Sequence, residues 1–151
     1  MGYVDSYKVL VDIDFKPETK FLLIKLAEDY SWKMYFISTS LNLVFENTKV
    51  LETKKGFHFY HKVSSGRPLT PLEIIIIQLA LGSDYKREIF NLRRARAWLD
   101  GEELEEGWNV LFKYKYKSGK LVSYESESES SRILESYINV RYNALMERDL
   151  L

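Results

Sequence analysis

The chain contains no cysteine among its 151 residues, so disulfide bonds, thiolate metal sites and a cysteine nucleophile are excluded. It has only three prolines and seven glycines. No apolar run reaches the roughly 18 residues of a membrane span, and the N-terminus lacks the apolar segment of a signal peptide. The length of 151 residues predicts a single globular domain over residues 1–151. We expect it to be cytoplasmic and to have no membrane partner.

Net charge is also lacking, because 22 basic residues balance 22 acidic ones. The charges are nevertheless segregated along the chain. Five bases and one acid lie between Lys49 and Arg67, five bases and one acid lie between Lys86 and Arg96, and residues 100–106 carry five acids without a base. Two basic blocks in a neutral chain leave an anion-binding face open as one interpretation and ordinary solvated charge as the other.

Alternation and turn signals predict the secondary structure of the first half of the chain. The pattern predicts a strand at Tyr7–Phe15, a helix over 17–30 and a second strand at Trp32–Ser38. Residues 42–45 are ambiguous and could form a short third strand. The segments Lys49–Thr53 and Phe57–Val63 both alternate around Lys54-Lys55-Gly56, which indicates a hairpin.

The second half begins with a capping box at Thr70–Glu73, which predicts an apolar helix from Leu72 to about Leu81. Ser83 or Asp84 should cap the next helix. A second hairpin is predicted about Ser118-Gly119, followed by a solvated, mobile Ser/Glu segment over 123–131 and a final helix over 131–148. The whole is α+β, with a mostly antiparallel sheet and helices packed on it.

Helical spacing also predicts which faces are buried. In the helix after Asp84, Tyr85, Ile89 and Leu92 are expected to face the core, with Arg87, Asn91 and Arg94 on the opposite stripe. In the last helix the spacing predicts one buried stripe, formed by Ile133, Tyr137, Val140 and Ala144.

Asp12 and Asp14 stand one residue apart in a strand, so their carboxylates share a face. Two neighbouring carboxylates repel unless a cation or hydrogen-bond donors compensate them. Carboxylate oxygens on a rigid strand are ligands that Mg²⁺ or Mn²⁺ prefers. The pair therefore indicates a metal site, with an acidic strand end that binds nothing as the alternative.

A basic turn precedes a histidine on the predicted hairpin. Lys54, Lys55 and Gly56 offer charge and accessible backbone amides, and His58 faces away from its neighbours Phe57 and Phe59. His58 could therefore share a face with Asp12 and Asp14, or could simply fill the sheet. His61 should point to the other face and is expected at the surface.

These residues resemble the archaeo-eukaryotic primase superfamily. The segment Val9–Asp14 (VLVDID) is similar to its first motif, and Thr53–His58 (TKKGFH) is similar to its second, with threonine and lysines where that family has serine and arginines. The spacing of about 45 residues between acids and histidine agrees too. The resemblance covers roughly residues 7–96, leaving 97–151 as a hairpin and C-terminal helix, and implies an RRM-like primase core of the kind found in archaeal plasmids and viruses.

The resemblance also implies roles for these residues. Asp12 and Asp14 would be catalytic and would hold Mg²⁺ or Mn²⁺. His58 would be catalytic and, with Thr53, Lys54, Lys55 and Gly56, would bind the phosphates of a nucleoside triphosphate. Asp84, which ends Leu81-Gly82-Ser83-Asp84, is the candidate for the third metal ligand that the family has, and an N-cap is its alternative role.

Nucleic-acid phosphates are the expected partner of Arg87, Asn91 and Arg94, because arginines at helical spacing on one stripe can follow a DNA or RNA template. A structural role in pairing with the acidic loop is the alternative. Tyr114 and Tyr116 alternate with lysines on the second hairpin, where either base stacking or core packing fits.

Three functions stay open from the sequence. The first is a primase/polymerase-like nucleotidyltransferase of DNA replication, with a replication partner protein that could supply missing parts. The second is an inactive nucleic-acid-binding or assembly module with the same fold. The third is a replication-initiator nuclease, although the spacing of His58 and His61 puts the two imidazoles on opposite strand faces.

Overall fold

The computed structural model describes residues 5–104, 107–111 and 114–150. Nine elements follow one another there: β1 (Asp5–Ile13), α1 (Lys20–Leu41), β2 (Leu43–Glu52), β3 (Phe57–Ser65), α2 (Pro71–Ala80), α3 (Tyr85–Leu99), β4 (Tyr114–Lys117), β5 (Lys120–Tyr124) and α4 (Glu129–Leu150). The α+β class is confirmed. None of the helices described is both long and apolar enough to cross a bilayer.

The main sheet has the strand order β1-β3-β2, and β3 runs antiparallel to both neighbours. The predicted β2–β3 hairpin is confirmed. The predicted hairpin about Ser118-Gly119 is also present as the separate pair β4–β5, although the side chains of Tyr114 and Tyr116 lie outside what the structure describes. An RRM sheet has four strands, and the main sheet has three among the described residues. The RRM-like expectation is therefore not confirmed.

Helix α1 is longer than predicted, and the strand predicted at Trp32–Ser38 was wrong because that segment continues the helix. Thr19 caps the start by accepting a hydrogen bond from the Leu22 amide, and Asn42 ends it in the left-handed conformation. The aromatic and β-branched content of 32–38 mimics a strand. Its buried residues Met34 and Ile37 instead continue the helical spacing that Leu23, Ala27 and Tyr30 begin in the earlier turns.

The core lies between one face of the sheet and helices α1 and α4. Val9, Val11, Phe59 and Val63 supply the sheet side of it. The predicted α4 stripe was wrong, since Val140 is 71% exposed and the buried positions are Leu134, Ile138, Tyr142 and Leu145. Apolar residues occur at helical spacing on two faces of this helix, so the sequence does not fix which face packs.

The free edge of β1 is closed by side chains from α2, α3 and the segment after α3. An edge strand exposes unpaired amides and carbonyls, which native proteins cover. Here the contacts to Lys8, Leu10 and Asp12 come from Asn109, Gln78, Arg87 and Ser83, and the Asp84 amide donates to the Asp12 carbonyl at 2.7 Å. This edge closure fixes the α2–α3 turn beside Asp12.

The same network explains why the predicted orientation of α3 was wrong. Tyr85 and Ile89 are 61% and 53% exposed, whereas Arg87 and Asn91 are buried. Leaving the polar groups at the edge of β1 buried without hydrogen-bond partners would cost more free energy than leaving two apolar side chains exposed. The polar side of α3 therefore faces inward.

The free edge of β2 is closed in a similar way by α4 and the segment before it. Glu135 accepts from the Val50 amide at 2.9 Å, and Asn139 donates to the Thr48 carbonyl. Ser126 forms a bridge with Glu52 through both backbone groups. The Ser/Glu segment that was expected to be a solvated connection is thus tied to the sheet.

Candidate functional site

Asp12 and His58 are direct partners across β1 and β3, on the face of the sheet opposite α1. His58 Nε2 lies 3.5 Å from Asp12 Oδ1. The predicted sharing of a face between Asp12 and His58 is therefore what the strand register produces. His58 is buried, while the Asp12 side chain stays partly open to solvent.

The other imidazole nitrogen of His58 is held by Glu125, a residue that the sequence analysis did not single out. His58 Nδ1 lies 2.8 Å from Glu125 Oε2, and the same oxygen accepts a 2.5 Å hydrogen bond from the Tyr60 hydroxyl. Tyr60 is two residues beyond His58 on β3 and shares its face. Glu125 thus clamps His58 and Tyr60 from just beyond β5.

The imidazole of His58 lies between the carboxylates of Asp12 and Glu125, and these two negative charges favour its protonated form. Burial alone lowers the pKa of His58, but the hydrogen bonds and charges of Asp12 and Glu125 outweigh burial, so the pKa is raised. The protonated ring donates from both nitrogens. Burial and the charge of Glu125 likewise raise the pKa of Tyr60, so its hydroxyl stays a donor.

Asp14 lies just beyond β1, which ends at Ile13 and not at Phe15 as predicted, and it is close to Asp12 and Asp84. Burial raises the pKa of Asp14, the negative charges of Asp12 and Asp84 raise it further, and a hydrogen bond with the Asp12 carboxyl acts in the same direction. Lys55 is near enough to lower that pKa in part. Asp12, Asp14 and Asp84, the three predicted metal ligands, are therefore brought together at one end of the sheet.

Asp84 has the capping role that was the alternative to metal binding. Its side chain accepts a hydrogen bond from the Arg87 amide at the start of α3. One carboxylate oxygen is therefore engaged. The other oxygen belongs to the same negatively charged end of the sheet as Asp12 and Asp14.

The turn between β2 and β3 is docked onto the end of β1. Within the turn, the Thr53 amide donates to the Gly56 carbonyl at 2.8 Å and the Gly56 amide donates to Thr53 Oγ1 at 3.1 Å. A Cβ on Gly56 would lie 1.7 Å from the Ile13 carbonyl oxygen. Only glycine permits this approach, which holds the turn with exposed Lys54 and Lys55 against the end of β1 and brings Lys55 near Asp14.

The predicted nucleic-acid contacts on α3 are corrected by the structure. Arg87 is 8% exposed, and its guanidinium donates to the Leu10 and Val110 carbonyls and pairs with buried Glu88. Asn91 is fully buried and its side-chain oxygen accepts from the Val110 amide. Neither side chain can reach a phosphate, because both are consumed in closing the edge of β1. Arg94 is half-buried on the same helix.

His61 was expected at the surface, and this was wrong. It is 2% exposed, with Nε2 2.6 Å from the Tyr30 hydroxyl and Nδ1 2.8 Å from Thr48 Oγ1. Burial lowers the pKa of His61 to about 3, so the ring is neutral. The face of β3 opposite His58 is the core face, and its polar atoms are satisfied there.

The residues at this site fit a hard divalent cation by their chemistry. Three carboxylates gather at this end of the sheet, where burial and the charges of Asp12 and Asp84 raise the pKa of Asp14, and carboxylate oxygens are what Mg²⁺ and Mn²⁺ select. Within the described ranges, no three histidine, aspartate or glutamate side chains stand in a ready-made metal-holding group.

Comparisons with protein-family models, with curated proteins and with solved structures found no match for this chain.

Some features of the site had a sequence signal and others had none. Gln78 interrupts an apolar run, which marks it as a buried hydrogen-bonding residue, and Tyr60 shares the alternation of His58. Glu125 stands in a stretch of alternating serine and glutamate, where nothing distinguishes it from Glu127 or Glu129. Its contact with His58 and Tyr60 follows only from the fold.

Proposed function

We propose that this chain is a primase/polymerase-like protein of DNA replication that binds a nucleoside triphosphate with a divalent metal ion at the end of β1. The observation that carries the proposal is a single arrangement. Asp12 faces His58 across one strand pair, and Gly56 holds the basic turn against the backbone next to Asp14. Acids, imidazole and lysines that are distant in sequence thus meet at one end of the sheet.

Asp12 and Asp14 would hold Mg²⁺ or Mn²⁺, with the free oxygen of Asp84 as a further ligand. When bound, the ion neutralises phosphate charge and orients the phosphoryl group for transfer. The ion would also relieve the repulsion that raises the pKa of Asp14.

Lys54, Lys55 and His58 would act on the triphosphate. The two lysines stand exposed on the docked turn and supply positive charge. The protonated ring of His58 is held by Glu125, and its Nε2–H is only loosely engaged with Asp12 at 3.5 Å. Because His58 is 6% exposed, that N–H would reach an anionic oxygen only by exchanging Asp12 for it, and charge-assisted hydrogen bonds of this kind are the stronger ones.

A binding module without turnover is the second candidate. It is favoured by the engagement of Asp84, whose Oδ2 caps α3 instead of standing free for a metal. The initiator nuclease gains no support, because both nitrogens of His61 are bonded inside the core on the face away from His58. A cytoplasmic location, a DNA or RNA template and a replication partner protein stay part of the proposal.

A polymerisation assay separates the two candidates. The protein is incubated with Mn²⁺ or Mg²⁺, a single-stranded template and labelled nucleotides, with and without a primer, and products are resolved on a denaturing gel. We expect template-dependent products that Asp12→Asn abolishes and that Asp29→Asn, an exposed change on α1, leaves intact. Nucleotide binding without products would establish the module, and neither binding nor products would contradict the proposal.

A further inference from the structure

The face of the sheet that carries His58 also carries three lysines, farther along the same strands. In the register, Lys62 on β3 lies directly opposite Lys8 on β1, and Lys49 on β2 lies opposite Tyr60. Residues two apart on a strand share a face, so Lys62 projects with His58 and Tyr60. All three lysines are exposed.

Stability does not explain this arrangement. Directly opposed residues in an antiparallel pair have Cβ atoms about 5 Å apart, and like charges there are destabilising. Among the residues that the structure describes, none of the three lysines forms an ion pair. The acid on the adjacent part of β2 is Glu46, at the bulge before Asn47. Three bases against Glu46 give this part of the face a surplus of positive charge, and Asp12 and Glu125 lie toward the His58 end of it.

The patch is continuous with the candidate site. Along β3 the order on this face is His58, then Tyr60, then Lys62, and the step from His58 to Lys62 spans about 14 Å at the usual rise of a strand. Tyr60, half-buried, contributes an aromatic ring between the acids and the lysines. Three strands make the face about 10 Å wide, which suits one extended polyanionic chain.

We propose that Lys8, Lys49 and Lys62 form a docking surface for single-stranded nucleic acid that leads to the His58 end of the sheet. Single-strand binders combine a positively charged track for the backbone with aromatic side chains, and this face has both. The inference rests on the proposed function for its role, since the strand would be the template. Its physical basis, the lysine patch, is independent of any metal or nucleotide. It also replaces the template contacts first expected from buried Arg87 and Asn91.

The test is fluorescence anisotropy of a labelled single-stranded oligonucleotide in EDTA over a series of salt concentrations. The variant is Lys8→Gln/Lys49→Gln/Lys62→Gln, and the matched control is Lys25→Gln/Lys33→Gln/Lys86→Gln, which removes three exposed lysines from α1 and α3. Each phosphate contact on a single strand contributes about 0.7 to the slope of log K against log salt. We expect the Lys8/Lys49/Lys62 variant to lower the magnitude of that slope by about 2 and the affinity at least about tenfold. The control should change the affinity less than about twofold.

The variant should fold, because removing opposed lysines relieves repulsion. Lys62→Gln alone provides a milder version, with a slope change of about 0.7. Absence of binding by the wild type, equal losses in both triple variants, or equal affinity for a duplex or for anionic vesicles would overturn the inference. EDTA removes the metal, so this experiment measures single-strand binding alone. If the oligonucleotide binds but titration shows no metal binding, only the proposed function is contradicted.

Discussion

Gly56 lies against Ile13 so closely that a Cβ at residue 56 would overlap the Ile13 carbonyl oxygen, at 1.7 Å, and crowd the Phe15 amide nitrogen, at 2.7 Å. This contact joins the turn that carries Lys54 and Lys55 to the strand end that carries the acids. The glycine is required here by the close approach of two backbones. The relative position of the segments Val9–Asp14 and Thr53–His58 therefore depends on the absence of a Cβ at residue 56.

Gly56→Ala should displace the turn and separate the lysines from the acids. We expect a loss of stability of about 1–3 kcal/mol, as for overpacking of a tight site, measured by urea unfolding. Gly101→Ala is the control, because nothing lies within 4 Å of its Cβ position and only its positive φ is strained. If the two changes had equal effects, docking of the turn would not be the reason for glycine at residue 56.

Glu125→Gln should lower the pKa of His58, because it removes a negative charge 2.8 Å from Nδ1 while the ring stays buried. NMR titration measures this directly, and the chain has only two histidines to assign. Glu127→Gln, an exposed change two residues away, should leave the titration of His58 as in the wild type. An unchanged pKa in the Glu125 variant would show that Glu125 does not set the charge of His58.

Buried His61 should make stability depend on pH. Its pKa is lowered from 6.5 to about 3 in the folded protein, so the unfolded chain takes up a proton first as the pH falls. The stabilisation is complete above pH 6.5 and is lost as the pH falls below it. Between about pH 6 and 5 the free energy of unfolding should drop by about 1 kcal/mol per pH unit.

His61→Gln should flatten that slope, as followed by urea unfolding at a series of pH values. His58→Gln serves as the control, because the raised pKa of His58 makes its contribution to stability increase, and not decrease, as the pH falls. A slope that survives in His61→Gln would mean that His61 is not the group responsible.

Arg87→Met should destabilise the protein strongly, because it leaves the carboxylate of buried Glu88 without its charged partner and uncaps the edge of β1. Breaking one side of a buried ion pair costs about 3–5 kcal/mol. Arg93→Met, on the exposed side of the same helix, should change stability by about 0.5 kcal/mol or less. Denaturant unfolding of both variants gives the comparison, and equally small effects would refute a structural role for Arg87.

Local signals in the sequence were sufficient for part of the fold. The capping box at Thr70 and Glu73 predicted the start of α2, and alternation around Gly56 predicted the β2–β3 hairpin. Ser83 or Asp84 was expected to cap α3, and Asp84 is the residue that does so. These features depend on residues within a few positions of one another, where propensity and hydrogen bonding are decided locally.

The wrong predictions concern residues whose structure is determined by contacts with segments far away in the sequence. The aromatic segment at Trp32–Ser38 became helix because its buried residues continue the face of α1 that covers the sheet. Arg87 turned inward because the edge of β1, 77 residues earlier, needs its donors. Glu125 reaches His58 across 67 residues, and no local pattern encodes a contact of that range. The pairing of Asp12 with His58 was accessible, because alternation gives the face of each strand.

The most direct test of the account is calorimetric titration of Mn²⁺ with and without a nucleoside triphosphate. The wild type should bind, and Asp12→Asn/Asp14→Asn should abolish the heat, while the exposed pair Asp29→Asn/Asp100→Asn retains it. Absence of Mn²⁺ binding by the wild type in both conditions would contradict a metal-nucleotide site at the end of β1.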